Sequence, residues 1–332
     1  MVTTKIYSFK KRYMTKIKNF ILKITLVFLI ITSSISAVSA DISVIVPFNK
    51  GGDSTIAAET QSEFFSKYFS EAINVIHQPS TSRPGVDAWE NINKLKPDGK
   101  TLVVVNIPTI ILQPLLYSDV KYKTDDLSVI AIFQSIPNGI LVKDSSRFST
   151  LAELIDFAKK NPGQLTAGGV GFGGIDQLII EQLNKEAGIK INYKAYSGQA
   201  PAENGLVSKE IDLLAGASSS AIRLAEQARI LAFTSEDSKR LSLFPNVPTF
   251  KELKLNITAV AYRGYALPKA TPANIKKKFS DDVIKVNRDP EFIKKIESKG
   301  FIVKHIGIEA VPAFMKEQVK LYQPLVGLID KK

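Results

Sequence analysis

Short β-branched runs alternate with amphipathic stretches along nearly the whole chain, and this alternation limits the fold more than any other feature. Residues 42–46, 102–105, 129–133, 140–142 and 230–233 are runs of three to five residues, apolar but for Ser43 and rich in Val and Ile. Such runs without polar alternation mark strands buried on both faces, as in parallel sheets. Between them, residues 56–69, 151–159, 175–187, 201–209, 272–287 and 290–299 space their apolar side chains near 3.6 and predict helices. Parallel strands need crossovers of this kind, so the pattern predicts an open α/β architecture. Residues 79–84 and 244–248, rich in Pro and small polar residues, are the clearest loops.

The first forty residues have a separate logic. Lys5, Lys10, Lys11, Arg12, Lys16, Lys18 and Lys23 form a basic region without an acid, followed by an apolar stretch and by Ala37-Val38-Ser39-Ala40. This order is that of a secretory leader cleaved after Ala40. The apolar run falls short of the roughly 18 to 20 residues that span a bilayer, so the expectation is an exported, freely diffusing chain. About 290 residues follow, enough for a large core and for two domains. The chain contains no cysteine, which excludes disulfides, thiol catalysis, Cys-type metal sites and a lipoprotein anchor. A freely diffusing exported protein without an anchor is kept by a cell only behind an outer membrane, so the expected compartment is the periplasm.

The net charge of +12 is misleading until it is divided. Beyond residue 40 the chain has 37 basic and 32 acidic residues, a modest +5, with no Arg-rich tract or aromatic-basic motif. Nucleic acid is therefore not an expected partner, whereas a mild positive potential suits a small anion.

In an open α/β sheet, ligands sit beyond the carboxyl ends of strands, where helix N-termini present free N–H groups. The first such end is Val46-Pro47-Phe48-Asn49-Lys50-Gly51-Gly52-Asp53-Ser54-Thr55. Gly51 and Gly52 permit a tight turn and Ser54 and Thr55 bring hydroxyls, although Asp53 or Ser54 would equally serve as a helix cap. The second is the glycine-rich stretch from Thr166 through Gly171, Gly173 and Gly174 to Gln177. Gly169, Gly171 and Gly174 satisfy G-x-G-x-x-G, but Lys194 follows the next apolar run where a dinucleotide site wants an acid. A loop that lets a ligand approach the backbone, or a purely structural turn, remains.

The ordered motifs resemble those of the substrate-binding receptors of tripartite tricarboxylate transporters, the Bug proteins. Ile45-Val46-Pro47-Phe48 with Gly51-Gly52 is similar to the family's I-V-P-F-x-x-G-G. Pro97-Asp98-Gly99-Lys100-Thr101-Leu102 resembles P-D-G-Y-T-L, and residues 168–177 resemble G-S-x-G-x-G-S-x-x-H. Tyr196-Ser197-Gly198-Gln199-Ala200-Pro201-Ala202 resembles Y-K-G-x-A-P-A. Leu231-Ala232-Phe233-Thr234-Ser235, Pro245-Asn246-Val247-Pro248-Thr249 and Ala266-Leu267-Pro268 complete the series. The likeness implies a two-lobed periplasmic binding protein of the Venus-flytrap kind, with two hinge crossings: 41–137 plus 232–332 as one lobe and 138–231 as the other. It implies a monomer without cofactor or metal, binding a small organic acid and meeting two integral membrane transporter subunits transiently. The ligand set it implies comprises Phe48, Gly51, Gly52, Asp53, Ser54, Thr55, Asn106, Thr109, Gly171, Gly173, Gly174, Gln177, Tyr196, Ser197, Gly198 and Arg263. Several positions depart from the family pattern. Asp53 stands two residues before the usual acid, Gln177 replaces a His, Gly169 and Gly174 replace serines, and Arg83 enters a loop normally rich in glycine. Arg263 is read either as a partner for a second ligand carboxylate or as a surface Arg paired with an acid.

A sensory role for the same fold and an exported enzyme are the alternatives. His77 and His305, the only histidines, lie near neither a G-x-S-x-G elbow nor a metal-ligand pattern, so no catalytic residue is expected.

Overall fold

The computed structural model describes residues 42–68, 71–80 and 83–329. The expected leader and its cleavage point at Ala40 lie outside the described residues. The strands are β1 (Ile42–Val46), β2 (Ile73–His77), β3 (Thr101–Ile107), β4 (Ser128–Ile136), β5 (Asn138–Lys143), β6 (Thr166–Val170), β7 (Asn192–Tyr196), β8 (Leu213–Ala217), β9 (Ala228–Phe233), β10 (Ala261–Leu267) and β11 (Ile302–Ile306). The helices are α1 (Asp53–Tyr68), α2 (Val86–Asn91), α3 (Thr109–Leu116), α4 (Leu151–Lys160), α5 (Ile175–Ala187), α6 (Gln199–Val207), α7 (Ser218–Arg223), α8 (Ala273–Asn287), α9 (Pro290–Glu297) and α10 (Val311–Tyr322).

Two sheets result, one ordered β11-β4-β10-β3-β1-β2 and the other β7-β6-β8-β5-β9. The chain passes from the first to the second at Pro137 and returns after Phe233. The two passages are bonded to each other. Asn138 N–H donates to Thr234 Oγ1 at 3.0 Å and Thr234 N–H to the Asn138 carbonyl at 2.7 Å. This is the architecture of a two-lobed periplasmic binding protein.

Both sheets are mixed, which corrects the expectation of parallel strands throughout. β1 pairs parallel with β2 and β3, and β6 with β7 and β8. The runs at 129–133, 140–142 and 230–233 instead pair antiparallel, in β4 with β10, and in β5 with β8 and β9. These strands are covered on both faces: Ile130, Ala131, Ile132, Ile140, Leu141 and Val142 are all fully buried. A continuous apolar run reports that coverage and is silent about strand direction. The core runs across both sheets, with Val103 and Ile132 in the same apolar cluster as Ile140, Leu178 and Leu183.

Candidate functional site

A cavity of about 820 Å³ lies between the two sheets. The N-termini of α1, α3, α5 and α6 all reach it, because Asp53, Thr109, Ile175 and Gln199 line its wall. Unpaired N–H groups and the positive ends of four helix dipoles favour negative charge there.

The first sheet supplies the charged floor. Arg263 stands opposite Asn106 in the β10–β3 ladder, so both side chains enter the cavity from neighbouring strands. Arg263 Nε donates to Ser54 Oγ at 2.9 Å, and Ser54 Oγ donates to Asn106 Oδ1 at 3.4 Å. Arg263 is 7 % exposed and its Nη1 has no hydrogen-bond partner. Burial draws its pKa down to about 10, against the raising effect of Asp53 and Asp176. It remains charged at neutral pH, and the surface-pair alternative is corrected: this Arg faces the cleft. Phe48 is held at the rim by edge contact with Trp89, 6.2 Å between centroids, while the Trp89 indole donates to the Val104 carbonyl at 3.0 Å.

Asp53 does more than occupy a helix start. Its Oδ1 accepts from Ser219 Oγ at 2.7 Å and from Arg223 at 3.2 Å, both on α7, and its Oδ2 lies 3.8 Å from Arg263. Arg223 is in turn held by Glu203 of α6 at 2.6 Å. A buried carboxylate from α1 thus ties the two halves of the molecule together at the cavity wall. Two further bonds cross the cleft, from Asn49 to the Ser197 carbonyl at 3.2 Å and from Gln113 to the Phe172 carbonyl at 3.0 Å. Gly171 has φ +60, and a Cβ there would stand 2.4 Å from Pro84 Cγ. The glycine lets the halves meet at that point.

Twelve of the sixteen residues expected at the site line the cavity: Phe48, Gly52, Asp53, Ser54, Asn106, Thr109, Gly171, Gly174, Tyr196, Ser197, Gly198 and Arg263. The other four, Gly51, Thr55, Gly173 and Gln177, do not line it. Thr55 turns its hydroxyl to the Gly51 N–H at 3.2 Å and the Asn49 carbonyl at 3.5 Å, which closes the turn on itself. Gln177 Oε1 accepts from Gly173 N–H at 2.9 Å, so this pair shapes the second loop from inside. The Tyr196 hydroxyl is committed to Glu210 at 2.9 Å and leaves its ring and backbone to the cavity.

Sequence reasoning missed Asp176, Asn138, Ser219 and Arg223. Asp176 is 4 % exposed; its Oδ2 accepts from Val170 N–H at 2.8 Å and its Oδ1 from Asn138 Nδ2 at 3.3 Å. Burial, joined by the charge of Asp53, pushes its pKa up to about 7, against the opposing pull of the Val170 N–H, Arg263 and Asn138. In the sequence it resembles any acid in a helix's first turn. The usable signal was Gly169, where a Cβ would stand 2.5 Å from Asp176 Cβ.

Two mixed sheets, two adjoining chain crossings and a cleft ringed by helix N-termini define the class of periplasmic binding proteins. Within it, residues 64–330 match the Tripartite tricarboxylate transporter family receptor, and the chain belongs to that family. It is 28% identical over 237 residues to protein BugT of Bordetella pertussis, covering 68% of this chain and 71% of BugT. Among solved structures it resembles Rpa4515 of R. palustris with adipate, with a TM-score of 0.82 and 20% identity, covering 87% of this chain and 97% of that one. It also resembles MatC of Rhodopseudomonas palustris with bound malate, with a TM-score of 0.78 and 20% identity, covering 86% and 98%.

Proposed function

We propose that this chain is an exported receptor that binds a small carboxylate in the cleft and delivers it to a tripartite tricarboxylate-type membrane transporter. The observation that carries this reading is the buried Arg263 guanidinium, with an unpartnered Nη1, in a cavity toward which four helix N-termini converge. A carboxylate there gains charge-assisted hydrogen bonds and dipole stabilisation beside a guanidinium that is itself buried. The sixteen residues expected at the site divide into two roles. Those lining the cavity touch the ligand, whereas Gly51, Thr55, Gly173 and Gln177 hold its loops in shape. Lobes bounded near Pro137 and Thr234 turn about the paired crossings, and ligand closes them. The adipate and malate of the two structural neighbours are the chemistry with which to begin. After cleavage at Ala40 the chain works as a periplasmic monomer and performs no catalysis.

A thermal-shift panel of C4 to C6 di- and tricarboxylates, aromatic acids and amino acids tests the proposal. One acid at about 100 times its Kd stabilises the folded protein by roughly 2.7 kcal/mol. A panel with no stabilising acid, while an uncharged or cationic solute shifts the transition, would refute it.

A further inference from the structure

Asp176 lines the cleft, is nearly inaccessible, and among the described residues has no direct ion-pair partner. Its surroundings are specific. Gly169 of β6 makes room for its Cβ, and a side chain there would also strike the Tyr193 hydroxyl at 2.7 Å. Facing it are Asp53 from α1, Arg263 from β10 and Tyr193 from β7, with Arg223 of α7 beyond Asp53. Its bonds to β6 and to the head of β5 come from a backbone N–H and an amide side chain, neither of which titrates. Asn138, which now donates to Asp176, has its own Oδ1 buried and without a hydrogen-bond partner.

We propose that the cleft takes up its acid together with one proton, which is bound by Asp176, so that the ligand anion meets a neutral carboxyl beside Arg263. The inference rests on the receptor reading above. Asp53 and Asp176 already put two carboxyl groups near one buried Arg, and a ligand anion adds a third negative charge to the same cavity. Like charges in a poorly hydrated space raise the cost of ionisation, and Asp176 is the group without a direct cationic partner. Its raised pKa in the free protein, about 7 through burial and then Asp53, shows how small a further push is needed. The protonated carboxyl becomes a donor. A half-turn of the Asn138 amide brings the unused Oδ1 to that O–H and frees Nδ2 for an oxygen in the cleft. The proton comes from solvent, and no bond in the ligand is made or broken.

The sign of the pH dependence follows. Below about pH 6 Asp176 is protonated with or without ligand, so binding takes up almost no proton and affinity is flat. Above about pH 7 the free protein is ionised, each bound acid brings in close to one proton, and Kd weakens about tenfold per pH unit. Calorimetric titration of the full chain with malate or adipate, at pH 6 and 8.5 in two buffers of different ionisation enthalpy, measures this directly. The expected result is uptake near zero at pH 6 and about one proton per ligand at pH 8.5. Asp176→Asn removes both the uptake and the slope. Binding without proton uptake in the unmodified protein at pH 8.5 overturns the proposal and needs no variant. Uptake persisting in Asp176→Asn overturns the assignment to this residue. Absence of binding to every acid in the panel overturns the receptor reading itself, and this inference with it.

Discussion

Removing Asp53 tests whether the polar tie at the cavity wall holds the molecule together. Asp53→Ala deletes a buried acceptor for Ser219 at 2.7 Å and Arg223 at 3.2 Å, and the carboxylate 3.8 Å from Arg263. The two cations fare differently. Arg223 has a side chain 30 % exposed and keeps Glu203 at 2.6 Å. The Arg263 side chain, 9 % exposed, loses its one ion pair and keeps the Nε hydrogen bond to Ser54 and the more distant charge of Asp176, with Nη1 already unpartnered. Stripping one partner from a buried charge costs about 3 to 5 kcal/mol. That is a large share of the roughly 5 to 15 kcal/mol by which domains are stable. Urea unfolding of the ligand-free chain at pH 7 reads the loss as a lowered midpoint. Most of the cost is the stranded Arg, so Asp53→Ala combined with Arg263→Met, which fills similar volume without charge, recovers more than half of it. A loss below about 1 kcal/mol in the single variant, or a double variant no more stable than Asp53→Ala, would refute the reasoning.

Asp176 carries a pH signature in the ligand-free protein. Its pKa rises from the ordinary 3.8 to about 7 on folding, so the stability of its protonated form is fully present below pH 3.8 and is lost as pH rises toward 7. This amounts to about 4 kcal/mol. The stability gap between Asp176→Asn and the unmodified protein should widen in the variant's favour by that amount from pH 4 to 7 and stay level above; parallel pH profiles in urea unfolding would contradict this. Gly171→Val meets both a φ of +60 and Pro84 at 2.4 Å, so it should hold the cleft ajar and lower acid affinity at least tenfold, with a larger radius of gyration in solution scattering. A closed, fully binding variant counts against the contact. Asn49→Ala removes an exposed bond across the cleft to the Ser197 carbonyl and should cost no more than about 1 kcal/mol in unfolding, because water replaces it. A cost comparable to that of Asp53→Ala would mean that exposed bonds, and not the buried tie, hold the halves.

Much of this protein was legible in its residue order. Chain-local patterns are enough to place strands such as β1, β3 and β4, because coverage on both faces leaves a continuous apolar run. They are also enough to place the loops at Gly51-Gly52 and Gly171 to Gly174, because positive φ favours glycine at Gly51, Gly171 and Gly173, and close approach adds to it at Gly171 and Gly173. Strand direction was not legible, since burial on two faces looks the same in β1, which pairs parallel, and in β4, which pairs antiparallel. Nor was the role of Asp53, whose partners Ser219 and Arg223 lie 166 and 170 residues away in the chain. Asp176 and Arg263 show the limit most plainly. A first-turn acid and a strand Arg are ordinary in sequence, and only the packing of α5 and β10 around one cavity strips their water and makes their charges interact. Ionisation is set by distance and dielectric, quantities that exist only once the chain has folded.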